Sequence, residues 1–142
     1  MQYMTKRKNM SPHAMKSTDG FDCKPEDSGV DLNRNYELSF GVGERTQVGL
    51  TKDNLFDDCA DPCGECYRGP HAFSEPETRA LRDFLTSHKG QVKFVVNFHS
   101  YGNQWIYPYN GLAENNIAKR NPAALAIFQE IEQEATFPKG SQ

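Results

Sequence analysis

The chain has 142 residues, enough for one domain or part of one, and its 19 acidic and 16 basic residues leave a net charge of −3. That balance weighs against a nucleic-acid partner, which calls for clustered excess Lys and Arg along a phosphate-tracking surface. A hydrophobic share of 37% and a mean hydropathy of −0.76 predict a modest core, and no stretch approaches the ~20 apolar residues of a membrane helix.

Residues 1–29 are polar and turn-rich, and the first eight carry basic residues without the apolar run of a signal peptide. Arg7-Lys8-Asn9 is a short basic run of the kind that usually forms a solvated terminus. Asn9-Met10-Ser11 matches a glycosylation sequon. Beyond the apolar pair Val30 and Leu32, Asp31 with Asn33 and Asn35 favours local turns closed by side-chain hydrogen bonds. An arginine between two amides, Arg34, suits bidentate capture of a carboxylate, although most arginines in polar turns are simply solvated. Residues 41–70 hold five glycines, two prolines and three cysteines, which predicts a long irregular loop. A loop of that length usually carries function or is stapled.

From Ser74 the pattern sharpens. Ser74-Glu75-Pro76-Glu77 reads as a capping box, with Ser74 at the N-cap and Pro76 in the first turn. Leu81, Phe84, Leu85 and His88 then share a helical face, and Gly90 ends the helix. Residues 91–98, with Val92, Phe94, Val95, Val96 and Phe98, predict a buried strand. A second short strand is expected at Trp105-Ile106-Tyr107, stopped by Pro108. Asn121-Pro122 supplies an N-cap and a first helical proline, and Leu125, Phe128 and Ile131, with Ile127 and Ala135, give the next helix its apolar face. Helix alternating with buried strand points to an α/β sheet.

His99 follows directly on the expected strand. Ligands gather at the carboxyl ends of strands in open α/β sheets, so this imidazole can serve a metal or a reaction; otherwise it is a loop histidine bonded to a neighbour. Tyr101, Tyr107 and Tyr109 suit walls and packing better than acid catalysis, because a free phenol titrates near ~10. The four cysteines, Cys23, Cys59, Cys63 and Cys66, allow two disulfides in three connectivities and an oxidising compartment. The alternative is a zinc knuckle of Cys59, Cys63, Cys66 and a fourth ligand, but the C-x3-C-x2-C spacing lacks the paired C-x2-C repeats of common zinc ribbons.

Together these segments resemble the zinc carboxypeptidases of the carboxypeptidase A/B family. Gly29-Val30-Asp31-Leu32-Asn33-Arg34-Asn35-Tyr36 is similar to the family's Asp-x-Asn-Arg-Asn-aromatic signature. Tyr67 to Thr78 resembles its Tyr-x-Gly-x-x-x-x-Ser-Glu-x-Glu segment. Asn97-Phe98-His99-Ser100-Tyr101, followed by Tyr107-Pro108-Tyr109, resembles its zinc-histidine strand and the turn beyond. Arg7-Lys8-Asn9 is similar to the run that precedes the Asn-Arg motif. Four motifs agree in order and spacing.

The resemblance implies a role for each matching residue. Arg7 polarises the scissile carbonyl and stabilises the oxyanion. Asn33 and Arg34 bind the C-terminal carboxylate of a peptide or protein substrate. His99 is a ligand of one Zn2+, and Ser100 and Tyr101 line the cleft. It also implies a bridge from Cys23 to one of the other three cysteines with the remaining two paired locally, no glycan at Asn9, and a secreted or lumenal location (extracellular, lysosomal or vacuolar). The implied fold is α/β, a mixed sheet with helices on both faces. The family's His-x-x-Glu zinc pair belongs upstream of Arg7, where only residues 1–6 stand, and none of His13, His71 and His88 has a Glu three positions on. Its catalytic glutamate belongs downstream of Gln142. Residues 1–142 are therefore expected to form a partial catalytic domain, incomplete at both ends, with missing segments or a second chain completing it. The competing expectation is a non-catalytic module that keeps the carboxylate pocket to bind peptides.

Overall fold

The computed structural model describes residues 6–12, 14–38, 40–41, 59–99, 102, 104–109 and 116–135. Its elements are a 3-10 helix, Leu32–Arg34, and three α-helices: α1 (Pro76–Ser87), α2 (Ile117–Arg120) and α3 (Pro122–Glu134). The chain divides into two units, Met1–Val96 and Asn97–Gln142.

The expected mixed α/β sheet is not present among the described residues. Among the described residues the only ladder feature is an isolated antiparallel bridge between Lys16 and Asp22. Residues 92–98 and 104–107 lie outside any regular element. A strand exists only when a neighbour exchanges N–H···O=C bonds with it, and among the described residues nothing does so for 91–98. Apolar composition alone therefore misled the reading: Val95 is 56% and Phe98 83% exposed.

The first unit is held by polar contacts and covalent staples more than by apolar burial. Its buried apolar cluster is Ala14, Val30 and Tyr67. The two disulfides are Cys23–Cys63 and Cys59–Cys66. They match the expectation of one long-range and one local bridge, and with no free thiol left the knuckle of Cys59, Cys63 and Cys66 is ruled out. The long bridge ties the turn-rich opening segment to the loop that precedes α1.

Helix α1 begins at Pro76, as expected, but Ser74 does not cap it. The N-cap is Glu75, without a side-chain cap bond. The Ser74 hydroxyl is drawn instead into the hydrogen-bond network around Asn35. The predicted apolar face of α1 is largely in solvent, with Phe84 52% exposed. Helix α1 ends at Ser87 with His88 as its C-cap, and Gly90 turns the chain away at φ 85°.

In the second unit α3 starts as expected: Asn121 is the N-cap, its side chain accepts from Ala124 N at 3.1 Å, and Pro122 opens the helix. Leu125, Phe128, Ile131 and Ala135 are half-buried, whereas Ile127 faces out. Helix α2, a single turn capped by Asn116, packs on α3 and buries Ile117.

Candidate functional site

Asp31 connects three of the expected site residues: Arg7 through its side chain, and Asn33 and Arg34 through their backbone N–H groups. Asp31 is 2% exposed. Its Oδ2 accepts from Arg7 Nε at 2.8 Å, and its Oδ1 accepts from the Asn33 backbone N–H at 3.0 Å. The Asp31 N–H donates to Tyr67 O at 2.7 Å, and its carbonyl accepts from Arg34 N at 2.9 Å. One carboxylate thus caps the 3-10 helix and grips Arg7, a local fold that follows from an acid two residues before an amide donor.

The grip is one-sided. Bound through Nε, Arg7 keeps 46% of its side chain exposed, and its two Nη groups have no partner among the described residues. Arg34 is half-buried and reaches only the Asn33 carbonyl, through Nη1 at 3.4 Å; no carboxylate pairs with it among the described residues. Asn33 is exposed beside it. Each of these two guanidinium groups offers planar N–H pairs of the kind that match the two oxygens of a carboxylate.

Three arrangements hold this turn in place. Asn9 Oδ1 accepts from Val30 N at 2.8 Å, and Asn9 N donates to Val30 O at 3.0 Å, so residues 9 and 30 run side by side. Gly29 permits that approach: it sits at φ 98°, and a Cβ there would lie 1.9 Å from Asn9 O. Asn9 Nδ2 donates to Glu75 Oε2 at 2.7 Å, which ties the segment to the start of α1. Asn35, fully buried, closes the far side. Its Nδ2 donates to Arg68 O at 2.8 Å and Ser74 Oγ at 2.8 Å, and its Oδ1 accepts from Thr78 Oγ1 at 2.6 Å and Glu75 N at 3.2 Å.

Lys8 corrects the reading of residues 7–9 as a solvated run. It is 5% exposed, and its ammonium donates to the carbonyls of Asp27, Pro62 (2.7 Å) and Gly64 (2.8 Å). Three acceptors match the three N–H groups of a lysine, which is what makes its burial tolerable. The ammonium also sits 5.7 Å from the Tyr67 ring centroid, and burial pushes the Tyr67 phenol above its usual range. The residues that sequence reasoning missed are therefore Asp31 as the partner of Arg7, Lys8 as a buried tie, and Asn9 and Asn35 as braces. Only Asp31 had a local signal, its spacing to Asn33.

His99 lies in the second unit and is exposed. Ser100 and Tyr101 lie outside the described residues. Among the described residues no three His, Cys, Asp or Glu side chains come together as a ligand set. A catalytic zinc takes three protein ligands, so the described residues do not fit a complete zinc site. Within the second unit a cavity of about 590 Å³ is lined by Trp105, Ile106, Tyr107, Leu125, Gln129 and Glu132, among others, and not by His99. The Tyr107 hydroxyl donates to Glu132 Oε2 there, and this hydrogen bond raises the phenol above its usual range.

The comparisons with known proteins agree with the motifs. Residues 1–137 match the family model described as zinc carboxypeptidase. Human carboxypeptidase A5 is 40% identical over 86 residues, covering 61% of this chain and 16% of that protein. Human carboxypeptidase B is 36% identical over 106 residues, covering 72% of this chain and 22% of its own length. Rat mast cell carboxypeptidase A is 38% identical over 81 residues, covering 57% and 16%. The chain thus spans a fifth or so of the relatives it matches, and no solved structure matches it significantly. On its motifs, its family match and these relatives, the chain belongs to the zinc carboxypeptidase family.

Proposed function

We propose that this chain contributes the substrate-recognition turn of a metallocarboxypeptidase, an enzyme that hydrolyses the C-terminal peptide bond of peptides and proteins, and that residues 1–142 form part of its catalytic domain. The observation that carries the reading is Arg34 beside Asn33, with no carboxylate partner among the described residues, on the turn whose Asp31 holds Arg7 by Nε and leaves its Nη groups without a partner among those residues. An exopeptidase must tell a free C-terminus from an internal amide. A guanidinium fork does so by pairing with both carboxylate oxygens. In this reading Arg34 and Asn33 hold the terminal carboxylate. Arg7, oriented from behind by Asp31, donates to the scissile carbonyl oxygen as negative charge develops there. Ser100 and Tyr101, outside the described residues, are assigned as further substrate contacts on the family resemblance alone.

His99 stands as one candidate zinc ligand, and zinc, when bound, activates water for attack. Among the described residues no three potential ligands come together to complete such a site. The two disulfides support an oxidising, secreted or lumenal location. Among the described residues no helix is long and apolar enough to cross a membrane.

The reading is tested by calorimetric titration of the 142-residue chain with N-acetylglycyl-leucine, -arginine and -phenylalanine and with their C-terminal amides. At least one free acid is expected to bind tenfold or more tighter than its amide, and Arg34→Gln is expected to abolish the difference. Equal binding of acid and amide for all three refutes it. The purified chain is also expected to show weak zinc affinity and no release of a C-terminal residue; measurable turnover contradicts that.

A further inference from the structure

We propose that the Asn9-Met10-Ser11 sequon is a conditional site of N-glycosylation: it accepts a lipid-diphosphate-linked oligosaccharide while the first unit is unfolded, closes when that unit folds and, once occupied, holds the chain out of its fold. The inference uses no step of the carboxypeptidase reading and needs only the lumenal location that the two disulfides support. In the transfer Asn9 Nδ2 forms a bond to C1 of the first sugar. The bond from C1 to the diphosphate oxygen breaks, its electron pair leaves with the diphosphate, and the proton lost from Nδ2 passes to solvent.

Both groups by which a sequon is read, the amide and the hydroxyl two residues on, are withdrawn in the folded chain. Asn9 Oδ1 accepts from Val30 N at 2.8 Å and from Ser11 N at 3.1 Å. Asn9 Nδ2 donates to Glu75 Oε2 at 2.7 Å and to Glu77 Oε1 at 3.4 Å. Either hydrogen that a sugar replaces therefore points at a carboxylate oxygen nearer than a sugar ring can stand. Ser11 is 7% exposed, and its hydroxyl oxygen is shut off from solvent with no hydrogen-bond partner among the described residues. The backbone is tied as well, Asn9 N donating to Val30 O at 3.0 Å, so the segment cannot present itself to an enzyme without breaking these bonds together.

The groups that close the sequon are made late. Val30 follows Asn9 by 21 residues and Glu75 by 66. At about 5–20 residues per second, Glu75 is synthesised roughly 3–13 s after Asn9. The sequon stands open over that interval. A glycan added then keeps Nδ2 away from Glu75, and residues 9–11 cannot dock against the start of α1.

The test exposes the intact 142-residue chain, either folded with both disulfides or reduced and alkylated, to microsomal oligosaccharyltransferase with its lipid-linked oligosaccharide, and reads occupancy of Asn9 by mass spectrometry. The alkylated chain is expected to be modified at least tenfold more than the folded one, and Asn9→Gln to abolish the modification of the alkylated chain. In a second arm the chain is reduced with dithiothreitol, modified, and reoxidised in a glutathione couple. The glycosylated chain is expected to lack the amide-exchange protection at Val30 and Glu75 that the unmodified chain, carried through the same steps, regains. Equal occupancy of folded and alkylated chains overturns the proposal, as does an alkylated chain that stays unmodified or a glycosylated chain that regains full protection. None of these results depends on the preference for a free acid over its amide, so failure here and failure of the carboxypeptidase reading are separate outcomes.

Discussion

The clearest stability prediction concerns Asn35→Ala. This side chain is fully buried and closes the network that fixes the start of α1 to the turn carrying Asn33 and Arg34. Truncation removes the acceptor for Glu75 N and the donor to Arg68 O, both buried or partly buried backbone groups that then lack this partner, and a longer bond to His71 O, which keeps Ser74 N. It also removes partners of Ser74 Oγ and Thr78 Oγ1, but these keep Glu75 Oε1 (2.8 Å) and Glu75 O (3.0 Å). Loss of the bonds to Glu75 N and Arg68 O, at about 1–2 kcal/mol each, predicts a cost of roughly 2–4 kcal/mol. Thr78→Val deletes both contacts of one hydroxyl but leaves Asn35 Oδ1 with Glu75 N and Glu75 O with Arg79 N, so it is expected to cost about 1 kcal/mol. Urea unfolding with both disulfides intact, followed by far-UV circular dichroism and by amide exchange at Glu75 and Thr78, measures both variants. A cost below 1 kcal/mol for Asn35→Ala, or a larger one for Thr78→Val, refutes the network as the anchor of this turn.

Gly29→Ala is expected to destabilise the first unit by about 3 kcal/mol or more, because the new Cβ meets backbone at 1.9 Å and the residue sits at positive φ. Gly20→Ala, also at positive φ but with nothing within 4 Å, is expected to cost about 1 kcal/mol, and equal costs in urea unfolding contradict the contact argument. Removing the pair Cys23 and Cys63, 40 residues apart, is expected to cost about 4 kcal/mol of loop-closure entropy, and removing Cys59 and Cys66, 7 apart, about 2.5 kcal/mol. The reverse order in alanine double variants goes against that assignment. Tyr107 is expected to ionise above the usual tyrosine range by absorbance at 295 nm, and Glu132→Ala to bring it down. Because the neutral phenol is the form held in the folded state, this contribution is present below the unfolded pKa of ~10 and is lost as pH rises through the folded value. No change on Glu132→Ala contradicts it.

The parts of the fold that local chemistry decides were legible in the sequence. The Asn121-Pro122 start of α3 is set by one side chain and the residue beside it. The turn at Asp31 to Asn35 is likewise local. What failed were features that depend on distant residues. Ser74 has the right spacing for a cap, but Asn35, 39 residues away, competes for its hydroxyl. Residues 91–98 have strand composition, but pairing is a property of two segments and composition reports on one. Lys8 looks like any solvated lysine until the loops bearing Asp27, Pro62 and Gly64 converge on it. Helix α2, four residues long, is too short for a periodic signal. At the candidate site the family motifs named the residues proposed to face a ligand. The residues behind them, Asp31, Asn9 and Asn35, show their roles only through the contacts they make.

The central claim is that the turn bearing Asn33 and Arg34, with Arg7 beside it, receives a free peptide C-terminus. The most direct measurement is the map of 15N chemical-shift changes across the chain when an N-acetyl dipeptide acid is added, set against its C-terminal amide. The predicted result is saturable change at the Asn33 amide group and the Arg34 and Arg7 guanidinium signals with the acid and none with the amide. Identical maps for the two, or changes centred elsewhere in the chain, would contradict it.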